Sequence, residues 1–600
     1  MSEVQYPQAV VGIIGRGAVV AIRSRGDVSV DVLDAPDGMR PRQPSISGSG
    51  LVEVPFAATR RIDKGRIRVR VSEVRSDRTE EVSLPVRIWG PRMSFICLVQ
   101  SSNVHAGWDP RPMAQYYRRD DGDLVLYEGD EQGDHAWVHA RKLERVFHKW
   151  AKPVTWLIDG TVAEEQAAQI VAWHRKYCDG VAFLPRSFFY FNKRNYNLTH
   201  TCDELAAILR PQAEAFDRAF ARAEWPVYTR TMGADQWVGS VGSRFVEAAQ
   251  AVGFDAIWGI GYDHLTCDTS MYHRGTPWDV YKPKAGNFRV PGANGTFWCL
   301  QWTTRDLLNT SYFPPTVGST TFSTDADDIL HNGIPRFQVD YYARLLAEYQ
   351  RNLSHHDVNV FLVHQEDHDS HIHGSNAVLE AFLDQVHDRE TFATMDEVVA
   401  WLNARYAPTE HPYQLIEMSD PLTCHAEMQH AAMKGDIPRR FAENRDWGRD
   451  GKPNPPHVAY YGPDVLWIFA QGAATPRVFY DYTKSECYPF KEDGEYPAEA
   501  VPTLRNVTVQ QERLRDALKL TIAFNAEDEA TSVPVAAWNE PMNGLREGRL
   551  AGTDDQGREC PVWRTRRALV ALVRDIVPGK VERQIIVPLE GVAPALPAPR

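Results

Sequence analysis

The stretch "FLVHQEDHDSHIHGS", Phe361 to Ser375, sets an apolar run directly against a group of titratable side chains. It holds four histidines, two aspartates and one glutamate. With the preceding "VNV", the apolar part has the length and composition of a buried parallel strand. The polar residues follow at the point where that strand is expected to end. In β/α folds, chemistry collects where parallel strands run out into loops, so the stretch predicts both a fold and the edge that carries its site.

Six other apolar runs have a similar length and composition, and they alternate with helical patterns. They are "MSFICLVQ", "PVTWLID", "GVAFLP", "PVYTRTM", "FDAIWGI" and "GTFWCLQW". Thr-x-x-Glu capping boxes at Thr161/Glu164, Thr201/Glu204 and Thr394/Glu397 predict three helix starts. About seven β/α units predict a distorted (β/α)7 barrel over residues 91–410, within the α/β class.

Regions on both sides of the barrel are rich in strand patterns. Residues 1–90 and 455–600 contain short alternating runs with Gly, Pro and Asp turns, which predict an N-terminal and a C-terminal β-sandwich. Residues 411–454 are expected to form a helical connector and linker. "GIIGRG" (Gly12 to Gly17) precedes a strand-like run instead of a helix, which argues against a dinucleotide-binding loop.

Composition excludes some classes of partner. The formal net charge of −13 argues against nucleic acid or an anionic membrane as the main partner. No run of 18 apolar residues predicts a membrane span, and the N-terminus does not read as a signal peptide. The eight cysteines have no CxxC spacing, which disfavours a zinc ribbon and favours buried thiols in the cytoplasm, although a trimmed secreted chain is not excluded. The oligomeric state is left open.

Four of the predicted strands lead into segments with His, Asp or Glu among their first residues. We expect these exits to line one site. The residues concerned are His105, Trp108 and Asp109; Asp235 and Trp237; Asp263 and His264; and His364, Glu366 and His368. Adjacent residues at a strand end point to opposite sides, so only one of Glu366 and Asp367 is expected to face the site, and Glu366 is favoured. The HxxxH spacing of His364 and His368 lacks the helix and the Glu of a zinc peptidase motif.

The segment "CDTSMYHRGTPWDVYKP" (267–283) follows one of these exits. His273, Arg274 and Trp278 within it suit a sugar ring, which has apolar faces and polar edges, although a packed structural lid would have the same composition. The longer span of about 29 residues up to Gly295 reads as one lid or binding wall between two strands. Lys282, Lys284 and Arg289 in this span favour an acidic sugar, unless they pair with local aspartates.

Taken in order, these residues resemble the glycoside hydrolase/deacetylase barrel superfamily, and glycoside hydrolase family 57 more than its neighbours. The similarity rests on "ICLVQSSNVH", on "GADQWVGSVGSRFVEAAQAVGFDAIWGIGYDH" and on "HQEDHD", and "TFATMDEVVAWL" looks like the closing helix of polysaccharide deacetylases. It covers roughly residues 91–405. The chain departs from the family in having Asp235 where the family has a glutamate nucleophile, and it lacks the His-Gln-Pro motif and the deacetylase motif Thr-Phe-Asp-Asp-Gly.

The resemblance implies a hydrolase that cleaves a glycosidic bond in an oligo- or polysaccharide without a cofactor. Asp235 would be nucleophile or base and Glu366 the general acid. His105, Trp108, Trp237, Asp263, His264, His273, Arg274, Trp278 and His364 would bind substrate. The alternative is a metal-dependent deacetylase or other metallohydrolase, with a zinc-like ion on a subset of His105, Asp109, His364 and His368. A non-catalytic glycan-binding protein is a further alternative.

Overall fold

The fold was analysed in a computed structural model. It describes residues 4–76, 78–102, 115–118, 124–127, 146–185, 201–233, 243–258, 278–285, 287–291, 295–300, 304, 339–351, 353, 357–365, 375–410, 413–415, 504–526, 530–538, 545, 548–564 and 568–589. Within these ranges, no helix is both long enough and apolar enough to cross a bilayer.

The N-terminal strands form one hydrogen-bonded sheet in the order β2-β7-β6-β3-β5-β4. Strand β2 pairs with both β7 and β3, so part of the sheet closes into a ring. The "GIIGRG" motif is a hairpin turn within it, in which Ile13 pairs with Gly17, as its strand context predicts. The bounds are β1 Val4–Gln5, β2 Val10–Ile13, β3 Gly17–Asp34, β4 Met39–Pro41, β5 Ser45–Ala58, β6 Ile62–Glu73 and β7 Thr79–Trp89.

A second sheet occupies the centre of the chain, with two short hairpins beside it. The hairpins are β9 Gln115–Arg118 with β10 Leu124–Tyr127, and β16 Pro283–Lys284 with β17 Asn287–Pro291. The sheet strands are β8 Met93–Ser102, β11 Val154–Ile158, β12 Gly180–Phe183, β13 Thr231–Gly233, β14 Ala256–Trp258, β15 Trp278–Tyr281, β18 Trp298–Leu300, β19 Val358–Gln365, β20 Thr391–Phe392 and β21 Tyr413–Leu415.

Seven of these strands run parallel, in the order β19-β8-β11-β12-β13-β14-β18. They are the seven apolar runs that the sequence marks as buried strands. Strand β15 then adds antiparallel to β18, and β21 adds antiparallel to β15. The predicted mixed α/β fold with a parallel sheet is therefore confirmed.

The sheet curls until its two ends nearly meet. Thr304, four residues beyond β18, donates its N–H to Leu362 O at 3.2 Å, and its hydroxyl accepts from Leu362 N at 2.6 Å. Strand β15 also contacts β19. Because Leu362 belongs to the first strand of the order and Thr304 follows the seventh, these bonds give the sheet the shape of a nearly closed barrel.

Besides a short helical stretch at 146–148, six helices are described over their whole length. They are α1 Gly160–Tyr177, α2 Cys202–Arg222, α3 Ser243–Val252, α4 Val339–Arg351, α5 Ser375–Val386 and α6 Met395–Arg405. The capping boxes predicted at Thr201 and Thr394 are present at the starts of α2 and α6. The box predicted at Thr161 is wrong. Asp159 caps α1 instead, because its side chain, directly after the end of β11, accepts from both Thr161 N and Val162 N at 2.8 Å.

Alternate residues of the parallel strands face two different cores. Phe95, Cys97 and Val99 of β8 belong to an inner core inside the barrel, whereas Ile96 and Leu98 belong to an outer core between strands and helices. Helix α6 contributes Met395, Val398, Val399, Trp401 and Leu402 to the inner core. Met395 N also donates to Thr155 Oγ1 at 2.9 Å, near the amino end of β11. Helix α6 therefore closes the amino end of the barrel.

The first residues of the chain are built into the same end of the barrel. Tyr6 N donates to Pro226 O at 2.8 Å and Tyr228 N to Tyr6 O at 3.0 Å, just before β13. The side chain of Gln8 donates to Val181 O and accepts from Val181 N, both at 2.7 Å, on β12. Strands β12 and β13 pair only at Phe183 and Met232. The backbone of Tyr6 and the amide of Gln8 thus form hydrogen bonds with backbone N–H and C=O groups of β12 and of the segment before β13, which these two strands do not bond between themselves.

The C-terminal strands form a seven-stranded sheet in the order β22-β23-β28-β25-β26-β27-β24. That the terminal sheets are separate sandwich domains, as expected from the sequence, stays a prediction. Within the expected helical connector 411–454, the described residues form β21 in the barrel sheet, which corrects that expectation at Tyr413–Leu415. The C-terminal bounds are β22 Leu504–Arg513, β23 Ala517–Ala526, β24 Ala530–Trp538, β25 Gly548–Asp554, β26 Glu559–Arg564, β27 Ala568–Ile576 and β28 Gly579–Pro588.

Candidate active site

The carboxyl ends of the seven parallel strands lie on one edge of the barrel. In three cases a predicted catalytic or binding carboxylate follows within five residues of the end of a strand. Asp235 comes two residues after the end of β13, Asp263 five residues after β14, and Glu366 directly after β19. Since α6 closes the amino end, the carboxyl edge is where a substrate can approach the inner wall of the barrel.

Curvature decides whether the two predicted catalytic carboxylates can act together. Strands β19 and β13 are four steps apart in the sheet, which is roughly 19 Å along a flat sheet at the usual strand spacing of about 4.8 Å. In the nearly closed ring they lie on opposite sides of the barrel. The ends of β13 and β19 therefore face each other across the mouth.

His364 and Ser101 meet on the inner wall at this edge. His364 is 0% exposed and Ser101 6% exposed, and the two lie at the ends of the adjacent strands β19 and β8. His364 Nε2 lies 3.0 Å from Ser101 Oγ, within hydrogen-bond distance. Both continue the inward-facing rows of their strands, since Val99 and Leu362, two residues before each, belong to the inner core.

Of the predicted site residues, the structure describes His364 and the backbone of Trp278. Trp278 is the first residue of β15, which runs antiparallel to β18. Val280 pairs with Leu300 at the end of β18, so Trp278 lies beyond that end, on the carboxyl edge. The predicted site residues that lie outside the described residues are His105, Trp108, Asp109, Asp235, Trp237, Asp263, His264, His273, Arg274, Glu366 and His368.

The structure corrects the prediction of one long lid between Cys267 and Gly295. Part of that span forms β15 in the barrel sheet, and part forms the hairpin β16–β17. A strand was missed there because Trp278–Tyr281 is short and lies among turn-forming residues. The lid interpretation therefore fails for the described part of the span.

Lys282 is also corrected as a contact for an acidic sugar. It is 0% exposed and donates to Ala407 O at 2.8 Å, with Trp298 5.1 Å from its ammonium group. Trp298 begins β18, so Lys282 lies at the amino end of the barrel, away from the strand exits. Burial lowers the pKa of Lys282 to about 8. The lysine anchors the chain after α6.

A network of charged groups surrounds the amino end as well. Arg230 bonds Asp255 Oδ2 at 2.9 Å, and its backbone N–H donates to Asp396 Oδ1 at 2.9 Å. Burial raises the pKa of Asp396 to about 7, against the opposing influence of Arg230. Shifted carboxyl groups are often catalytic. Asp396 is in the first turn of the helix that closes the barrel, so we interpret this network as structural.

Cys97 faces the inside of the barrel and has to be considered as a nucleophile. It is 0% exposed and belongs to the inner core. Burial, and then the nearby carboxylate of Glu397, raise the pKa of its thiol well above the ordinary value. Because the thiolate is the reactive form, Cys97 is a packing residue.

Sequence reasoning missed Ser101. The signal was present, because "FICLVQS" alternates between the two cores from Phe95 onward and Ser101 falls in the inward row. Of the four predicted metal ligands, only His364 lies among the described residues. Among the described residues, no three His, Cys, Asp or Glu side chains are grouped so that they could hold a metal ion.

Comparisons with known proteins give remote similarities only. No protein-family model matches the chain, and no curated protein matches it in sequence. Among solved structures, a candidate polysaccharide deacetylase from Mycobacterium smegmatis is similar over 52% of this chain and 92% of its own, at 13% identity and a TM-score of 0.33. A family 4 carbohydrate esterase from Streptomyces lividans is similar over 50% of this chain and 91% of its own, at 9% identity and a TM-score of 0.23.

A glycoside hydrolase family 5 xyloglucanase from Bacteroides ovatus covers 67% of this chain and 99% of its own, at 10% identity and a TM-score of 0.22. TM-scores this low do not establish a shared fold. The activities of these proteins therefore do not pass to this chain.

Proposed function

We propose that this chain is a hydrolase that cleaves a glycosidic bond in an oligo- or polysaccharide. One observation carries the proposal: β13 and β19 end on opposite sides of one barrel mouth, two residues before Asp235 and one residue before Glu366. Glycoside hydrolysis needs two carboxyl groups on either side of the scissile bond. The strand order supports the proposal, because the two strands that precede these carboxylates lie across the barrel from each other although the carboxylates are 131 positions apart in the sequence.

The roles follow from the chemistry of the bond. Glu366, as general acid, protonates the leaving oxygen, and Asp235 attacks the anomeric carbon or activates a water molecule. A carboxyl separation of about 5 Å would give retention of configuration, and roughly 6.5–9.5 Å would give inversion. Trp278, on the same edge, is a candidate platform for a sugar ring.

The test is turnover of a panel of neutral and uronic-acid oligosaccharides by the full-length protein. Asp235→Asn and Glu366→Gln are each expected to lower kcat at least about a hundredfold, because each removes one of the two carboxyl groups. Asp367→Asn is the matched control, since it alters the neighbouring carboxylate that is not assigned to the reaction. An Asp235→Asn enzyme within tenfold of the wild type would contradict the proposal.

The same preparations separate the alternatives. Acetate released from acetylated glycans, lost in chelator and restored by zinc, would replace this proposal with the metal-dependent deacetylase. Glycans that bind without being altered would replace it with a binding protein. Metal analysis of the purified protein is the least demanding of these measurements.

A further inference from the structure

Two side-chain hydrogen bonds join β8 to β19, one near each end of the pair. Near the amino end, Asn359 Nδ2 donates to Ser94 Oγ at 2.8 Å, and the two residues are direct partners in the register. Near the carboxyl end, His364 Nε2 lies 3.0 Å from Ser101 Oγ, and this bond runs diagonally, because His364 pairs with Val99. The strand pair thus carries two comparable bonds in different places.

The two bonds lie on opposite faces of the sheet. Asn359 and Ser94 alternate with the inner-core residues Val358, Val360 and Phe95, so they face the helices, where Gln350 of α4 reaches Ser94 at 3.4 Å. Ser101 and His364 lie in the inward rows. The bond near the amino end belongs to the packing layer, and the bond near the carboxyl end belongs to the mouth of the barrel.

We infer that Ser101 is a positioning residue, which fixes the imidazole of His364 for the catalytic apparatus. This inference rests on the proposed function. His364 precedes the proposed general acid, Glu366, by only two residues in the sequence. A hydrogen bond at one ring nitrogen fixes both the orientation of the ring and the tautomer available to the other nitrogen. In this inference His364 tunes the general acid.

The kinetic test compares Ser101→Ala with Ser94→Ala. Ser101→Ala is expected to lower kcat by up to about a hundredfold and to leave KM within twofold, because a misplaced group near the acid slows the chemical step without removing a substrate contact. Ser101→Thr keeps the hydroxyl and is expected to restore most of kcat. Ser94→Ala removes a similar bond from the same strands and is expected to leave kcat unchanged.

Two kinetic results would overturn the inference. Equal kcat values for Ser101→Ala and Ser94→Ala would show that the bond has no special position. A rise in KM with unchanged kcat would mean that the pair binds substrate.

A stability measurement separates this inference from the proposed function. The melting temperatures of Ser101→Ala, His364→Gln and the double variant form a double-mutant cycle that needs no substrate. The losses are expected to be non-additive for Ser101 with His364 and additive for Ser94 with His364. Non-additive losses for Ser101 and His364 in a protein that hydrolyses no glycoside would confirm the interaction of the two residues and contradict the proposed function. Additive losses would contradict the inference, whether or not the protein hydrolyses glycosides.

Discussion

His174 shows how burial sets the charge of a single side chain. It is 7% exposed on α1, its Nδ1 lies 2.6 Å from Asp179 O, and its ring stacks on Trp225 with 4.1 Å between the centroids. Burial lowers the pKa of His174 to about 4, against the opposing influence of the hydrogen bond with Asp179. The imidazole is therefore neutral in the folded protein at neutral pH.

This pKa predicts a loss of stability in acid. Between pH 6.5 and about 4 the unfolded chain protonates at His174 while the folded chain does not, so the free energy of unfolding falls as the pH falls through this window. His174→Phe keeps a ring on Trp225 and removes the titration. Its melting temperature is expected to fall less than that of the wild type between pH 7 and pH 5, and an equal fall in both proteins would contradict the assignment.

Two residues, His364 and Lys282, show which positions could be predicted from the sequence and which could not. His364 was predicted from the end of an apolar run, and the structure places it on the inner wall at the carboxyl edge. Lys282 was misread, because its aromatic neighbours resemble a sugar platform in sequence. Its position is decided by the carbonyl of Ala407, which is 125 residues away. Local composition carries no information about such a partner.

Among the elements, α6 links the barrel to the N-terminal sheet. Glu397 accepts from the backbone N–H of Thr394 at 2.9 Å, and it also pairs with Arg87 of β7 at 3.2 Å, with both side chains at most 5% exposed. Trp401 Nε1 donates to Gly90 O at 3.1 Å, between β7 and β8. A capping box on this helix therefore has contacts that an ordinary surface cap lacks.

The two capping boxes provide a matched comparison. Thr201→Ala at the exposed start of α2 is expected to cost about 1 kcal/mol in the free energy of unfolding, as for other caps. Thr394→Ala is expected to cost more, because Glu397 N is buried and loses its acceptor. Denaturant unfolding of both variants measures the difference. Equal costs would mean that burial of the α6 box adds nothing.

Strands and helices were predictable to the extent that their patterns are local. All seven parallel strands were found from apolar runs. In α5, the i, i+3, i+4, i+7 spacing of Leu379, Phe382, Leu383 and Val386 is typical of one buried helix face, and all four are buried. Strands β15 and β21 were missed. Each lies among polar and turn-forming residues instead of within a longer apolar run, and each pairs with a strand far away in the chain. Without an apolar run, a short strand cannot be told from a loop.

At the scale of the whole molecule, the boundary predicted at residue 90 lies between the N-terminal sheet and the barrel sheet. Hydrogen bonds from residues before this boundary nevertheless join the N-terminal segment to the barrel. Gln8 provides one of these contacts, since its amide bonds both backbone groups of Val181 at the amino end of β12. The amide is 2% exposed, so water cannot replace it. The N-terminal segment is part of the barrel wall.

Gln8→Ala is therefore expected to destabilise the barrel by about 2–4 kcal/mol, because it leaves a buried N–H and a buried C=O unpaired. Gln8→Glu is the matched variant. It keeps the acceptor for Val181 N and replaces the donor to Val181 O by a carboxylate oxygen. Thermal unfolding of both variants should give a lower melting temperature than the wild type, and an unchanged value for Gln8→Ala would contradict the role.

The position of Gln8 has a consequence for synthesis of the chain. Its partner Val181 is made 173 residues later, which is roughly 9–35 seconds at about 5–20 residues per second. During that interval the segment around Tyr6 and Gln8 has left the ribosome, while β12 and β13 do not yet exist. The segment at Tyr6 and Gln8 therefore lacks its barrel partners until those strands emerge, and it completes the barrel wall only after them.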